Sequence, residues 1–179
     1  MAKIITFSTK FPAYHPKAGQ PTYFVEKILS GLLKMESKGI EDAIYESGKS
    51  LSYNDVDSFL EVVESQTPKF HTIRAGHRFK VGDMFSPRIW SGRPYNSPQI
   101  VIAPDLTVEK VWDFEMSVLK AAGFDKYMIQ YFINGKQIDN KKLLLKLATN
   151  DGLSEYDLIH WFDKAFKGQI ICWSKNVNY

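Results

Sequence analysis

The sequence predicts an α+β fold in which helices decorate a mixed β-barrel, and three observations carry that expectation. Apolar patterning runs in the order strand, helix, helix, a block of strands, helix, helix, strand. The central block, from Lys69 to Met116, is cut by glycines at 76, 82 and 92 and prolines at 87, 94 and 98. Short strands at that turn spacing suit a small barrel. Finally, Asn134-Gly135 between two β-rich runs is a strong hairpin signal, because both residues tolerate positive φ.

The elements follow in order. Ile4-Ile-Thr-Phe7 is a β-branched and aromatic run that reads as the first strand. Prolines 12, 16 and 21 then enforce an irregular loop. Thr22 caps a helix whose apolar positions Phe24, Ile28, Leu32 and Met35 share one face. Residues 36–53 are polar and contain glycine, and read as a loop. Asn54 or Asp55 caps a second helix with Val56, Phe59, Leu60 and Val63 at i, i+3, i+4 and i+7. Strands are expected at Met84–Trp90, Gln99–Ala103 and Thr107–Phe114, followed by a Tyr127–Ile133 and Lys136–Ile138 hairpin. A helix covers about 140–149, with Leu143, Leu144 and Leu147 inward. The next starts at Ser154, has Asp157 as a capping-box-like acid, and shows the face Leu158, Phe162, Ala165 and Phe166 until Gly168 stops it. Gln169–Trp173 closes as a strand. No internal repeat or clean linker interrupts this order, so residues 1–179 read as one domain.

Composition bounds the function. An apolar share of 44% and a charged share of 24% describe a globular chain. The single cysteine, Cys172, excludes an internal disulfide and a thiolate metal cluster, and its apolar surroundings favour a buried structural thiol. The start is too soon polar for a signal peptide, and no apolar stretch is long enough to span a bilayer, so a cytoplasmic protein is expected. Histidines 15, 71, 77 and 160 form no metal-ligand spacing, and no cofactor motif is present.

Charge is unevenly spread. Residues 51–66 hold Asp55, Asp57, Glu61 and Glu64 with no Lys or Arg. Residues 67–100 hold Lys69, Arg74, Arg78, Lys80, Arg88 and Arg93 against Asp83 alone, together with His71 and His77. A local basic excess concentrates anionic ligands, although a solvated basic face has the same composition. Within it, Arg88-Ile-Trp90-Ser-Gly-Arg93-Pro-Tyr95-Asn-Ser-Pro-Gln99 interleaves arginines with Trp90 and Tyr95. Arginines hold phosphates while rings stack on bases, and Asn96 or Gln99 reads a base edge. The alternative is that Trp90 plugs a barrel end and Tyr95 packs on its rim.

The centre is Lys69-x-x-Thr72-x-Arg74. In an extended chain Phe70, Thr72 and Arg74 point one way and Lys69, His71 and Ile73 the other, unless a bend after Pro68 turns Lys69 toward Thr72. A desolvated lysine loses its proton near neutral pH and activates a hydroxyl. Lys-x-x-Thr-x-Arg followed by Phe79-Lys-Val-Gly-Asp83 resembles the signature of the ASCH domain, a PUA-like β-barrel family, and within it the acetylcytidine amidohydrolases. The likeness touches roughly residues 2–30 and 68–173, with strong motif identity confined to 69–83. It implies Lys69 as catalytic base, Thr72 as nucleophile, an acid at or near Asp151, and Arg74 as positioner. It also makes residues 36–66 a helical insertion, and implies that the Tyr14-His15-Pro16 loop covers the site like a lid.

Three functions are therefore open. The first is binding of single-stranded nucleic acid or a modified nucleotide by a cleft formed from His71, Arg74, Arg78, Arg88, Trp90, Arg93, Tyr95 and Gln99. The second is hydrolysis of an amide on a modified cytidine-type nucleoside by Lys69, Thr72 and Asp151. The third is protein interaction through the acidic 54–64 helix.

Overall fold

The computed structural model describes residues 2–120, 127–162 and 164–179. In chain order the described elements are β1 (Lys3–Thr6), α1 (Phe24–Lys34), α2 (Ile40–Ser50), α3 (Val56–Ser65), β2 (His71–Ala75), β3 (Met84–Trp90), β4 (Gln99–Val101), β5 (Leu106–Thr107), β6 (Lys110–Lys120), β7 (Tyr127–Ile133), β8 (Lys136–Gln137), α4 (Lys141–Asn150), α5 (Glu155–Trp161) and β9 (Phe166–Cys172). The class is α+β. The strands divide into two sheets and, among the described residues, do not close into a barrel. One sheet has β1 parallel to β3, with β4 and β5 antiparallel to opposite ends of β3. The other is antiparallel throughout, in the order β2-β9-β6-β7-β8.

An aromatic seam joins the sheets. Trp173 meets Phe7 edge-on at 6.2 Å and Phe85 at 5.7 Å, and Phe79 meets Phe85 at 6.3 Å. The Gln169 amide both accepts from the Phe79 N–H and donates to the Phe79 carbonyl, so β9 holds the loop that leads into β3. All of these groups are buried, which excludes water from competing for the bonds.

Local signals account for most elements. Asp55 accepts from the Ser58 N–H at 2.7 Å and starts α3. Ser154 accepts from the Asp157 N–H at 3.0 Å and starts α5. Asn134 (φ 49°) and Gly135 (φ 75°) make the tight turn of the β7–β8 hairpin. Three expectations are corrected. Residues 40–50 form a helix, because Ile40, Ala43, Ile44, Ser47 and Gly48 make one buried stripe. Helix α5 stops at Trp161, since Phe166 is taken as the first residue of β9 opposite Met116. The N-cap of α1 is Tyr23 in the left-handed region (φ 56°), with Thr22 one residue earlier donating to Ser8 and accepting from Phe24.

The three early helices pack as a group, with Ile28, Leu29, Phe59 and Val63 fully buried. Helix α1 also abuts the start of β2. The Lys69 N–H donates to the Lys27 carbonyl, and a Cβ on Gly31 would lie 2.5 Å from the Lys69 carbonyl oxygen, so only glycine permits that approach. Among the described residues no helix is long and apolar enough to cross a membrane.

Candidate functional site

Lys69 enters β2 as a buried residue, 1% exposed, anchored through its backbone to α1, with Phe70 anchored to Asn150 at the end of α4. Asp151 caps the C-terminus of α4, and Gly152 (φ 71°) turns the chain as a left-handed C-terminal residue does. The turn presents both acceptors of Asp151 to Lys69. The ammonium donates to Oδ1 at 2.5 Å and to the backbone carbonyl. Phe24 lies 4.3 Å and Phe7 5.9 Å from Nζ by ring centroid. In this dry setting burial pulls the Lys69 ammonium down to about 8 against the opposing pull of Asp151. Burial pushes the Asp151 carboxyl up while Lys69 and Arg74 pull it back.

His71, fully buried, has Nδ1 3.6 Å from Asp151 Oδ1, and neither ring nitrogen makes a hydrogen bond of normal geometry. Burial, then the Lys69 charge, holds it well below its ordinary value, with the Leu147 backbone a weaker opposing pull. It is therefore a neutral imidazole at pH 7. Thr72 is 5% exposed on β2 opposite Ile171, and its hydroxyl makes no hydrogen bond among the described residues.

Two residues on, Arg74 reaches a cleft of about 680 Å³ at the C-terminal ends of β1 and β3. Its Nη2 donates to the Thr6 carbonyl at 2.8 Å, and the guanidinium lies 5.1 Å from the Phe7 ring. Nε is buried and has no partner. The nearby carboxylate, Asp151, is already held by Lys69. The buried Lys69 and the half-buried Arg74 thus share one carboxylate, which leaves a positive surplus beside the cleft. Such a surplus is costly unless an anion neutralises it.

The lip of the cleft is Trp90 with Tyr95, ring centroids 5.3 Å apart. Tyr95 is 88% exposed and sits at φ 65°, a strained conformation for a large side chain. Ser97 secures its loop by accepting from the Gly92 N–H and donating to the Arg93 carbonyl.

The other expected residues lie around this centre. Arg88 donates to Ser86 and, at 3.4 Å, to Gln99, so these two side chains hold one another beside the lip rather than line the cleft. Arg93 is exposed on the Tyr95 loop. Arg78 lies at the opposite end of β1, where its carbonyl accepts from Lys3, and takes no part in the cleft. The expected lid does not cover the cleft: Tyr14 donates to the Trp161 carbonyl and His15 stacks on Phe11 at 4.4 Å, both packing toward α5. Sequence reasoning missed Ser8, Thr9 and Lys10, which follow β1 and line the cleft wall. Their polar, cationic run after a strand was the only signal for them.

Compared with protein-family models, with curated proteins and with solved structures, the chain matches none.

Proposed function

We propose that the cleft binds a nucleotide-type anion, either a modified nucleotide or a segment of single-stranded nucleic acid. The observation that supports this most is Arg74, a half-buried guanidinium whose buried Nε has no partner, in the wall of a polar cleft. A phosphate there supplies the missing charge and acceptor, and Lys10 adds a second cation. Trp90 and Tyr95 offer the faces on which a base stacks. An ASCH-like, PUA-related ancestry belongs to the same proposal, supported by Lys69-x-x-Thr72-x-Arg74 and Phe79-Lys-Val-Gly-Asp83.

The test is titration of a nucleoside monophosphate, the matching nucleoside, and a short single strand at two salt concentrations, read by Trp fluorescence. Arg74→Met is expected to weaken monophosphate binding about tenfold or more, the scale of a lost charge-assisted hydrogen bond. Tyr95→Ala loses a stack, roughly 1–3 kcal/mol. Absence of saturable, salt-sensitive binding in the unmodified protein defeats the proposal.

One observation favours a second reading, amide hydrolysis on an acylated cytidine-type nucleoside. Lys69 is a buried amine drawn down to about 8 beside Asp151, three residues from the unpartnered hydroxyl of Thr72. In that reaction Thr72 gives its proton to neutral Lys69 and attacks the acyl carbon. The nucleoside amine leaves with the proton, and water then frees the acyl group from Thr72. Binding stands first because Lys69, Thr72 and Asp151 do not line the cleft. Release of acetate from acetylcytidine that rises with pH through about 8, and is lost in Lys69→Ala and Thr72→Ala, is the required result.

A further inference from the structure

A second cavity, of about 300 Å³, adjoins the cleft and shares Thr9 with it as a partition. Its chemistry is opposite. Glu26, in the first turn of α1, is 7% exposed and forms part of the cavity wall. Its Oε1 accepts from the Tyr53 hydroxyl at 3.0 Å. Among the described residues no cation pairs with it. The neighbouring Lys27 ammonium attracts Glu26 through space, but its hydrogen bonds go to the Thr22 and Gly152 carbonyls. The positive end of α1 offsets part of the Glu26 charge, but a buried carboxylate with one neutral donor remains short of a counter-charge.

The surroundings specify what would supply it. Tyr23 and Tyr53 line the same cavity as the carboxylate, and aromatic faces attract a cation as well as excluding water. Pro21 and Leu51 continue the wall as apolar surface suited to a methylene stem. A hydroxyl-only or anionic ligand gains nothing from Glu26. A metal ion would find one carboxylate, too few hard oxygens for Ca²⁺ or Mg²⁺.

We propose that the Glu26 cavity is a binding site for an alkylammonium group, in which Glu26 pairs with the charge while Tyr23, Tyr53 and Leu51 enclose the stem. The group has two sources, a free aliphatic amine or the side chain of a lysine in a peptide. This site stands on different residues from the anion cleft and does not depend on it.

The experiment titrates n-butylamine, present as butylammonium at pH 7, with n-butanol as the neutral isostere, and follows binding by NMR. Saturable shifts with butylammonium, none with butanol, and NOEs from the butyl methylenes to the Tyr53 ring are expected. Glu26→Gln keeps an acceptor for Tyr53 and removes the charge; it should weaken binding tenfold or more. The wild-type NOEs decide the matter even if that variant folds poorly. Putrescine and Nα-acetyl-lysine methylamide form the two further arms: tighter binding of the first assigns the site to free diamines, of the second to peptide lysine. Equal binding of butanol, absence of the NOEs, or unchanged affinity in a folded Glu26→Gln variant overturns the proposal.

Discussion

Replacing Asp151 by Asn should destabilise the protein by an amount set by pH. The substitution preserves shape and removes the carboxylate paired with the Lys69 ammonium, which is 1% exposed. Breaking a buried pair commonly costs 3–5 kcal/mol, because a charge is stranded. Here the folded protein has an escape, since Lys69 already titrates at about 8 and can shed its proton. The ceiling on the cost is the free energy of that deprotonation at the working pH. It is about 4 kcal/mol at pH 5, between about 1 and 2 kcal/mol at pH 7 and near zero at pH 9, at roughly 1.4 kcal/mol per unit. The sign follows from linkage. A lysine depressed from 10.5 to about 8 makes the wild type gain stability as pH rises through that interval, and lose it as pH falls back to 8. Urea midpoints read by Trp fluorescence at pH 5, 7 and 9, with equal slopes, measure the difference directly. A penalty independent of pH, or largest at pH 9, refutes the reasoning.

Further expectations concern His71, Gly168 and Cys172. Because burial holds the His71 imidazole below its ordinary value, its contribution to stability is present above pH 6.5 and is lost as pH falls. His71→Phe should therefore flatten the acid limb of a stability profile between pH 7.5 and 5. A Cβ on Gly168 would lie 2.0 Å from the Arg74 carbonyl oxygen, where Ala75 and Gly168 pair. Gly168→Ala should cost about 3 kcal/mol or more in unfolding and also weaken anion binding by shifting Arg74. Burial pushes the Cys172 thiol up to about 11, so a thiol reagent at pH 8 should react with the unfolded chain and spare the folded one.

How much was legible in the sequence differs by element. Where a local rule and the tertiary environment agree, as at Asp55, Ser154, Met84–Trp90 and the Asn134-Gly135 turn, sequence patterning is enough. Helix α2 was not legible because its buried face is partly made of small residues. Ser47 donates to the Ile102 carbonyl, and Gly48 is needed where a Cβ would lie 2.9 Å from the Phe59 ring. Such fits have meaning only once the neighbour is present. The extent of α5 was lost to competition, since the pairing of Phe166 with Met116 overrides helical periodicity. Barrel closure depends on which strands pair, and no strand carries that information alone.

The candidate site divides in the same way. The stretch from Lys69 to Arg74 stands out by charge and spacing, and the structure brings Lys69, His71 and Asp151 together and places Arg74 on the cleft beside Trp90 and Tyr95. Thr6–Lys10 and the Glu26 cavity carry no motif, because chain segments distant in sequence create them. Arg78 contributed to the basic count, yet counting charge along the chain cannot say at which end of β1 a residue emerges.

The position of β9 between β2 and β6 has a consequence for synthesis. On a ribosome β2 is made early, yet its partner in the sheet among the described residues is a strand made after most of the described chain. Until residues 166–172 leave the exit tunnel, β2 and one side of β6 present unpaired edges. Such long-range closure is slow and leaves nascent chains open to misassociation. A chain stalled before β9 would be the natural client of a chaperone that shields strand edges.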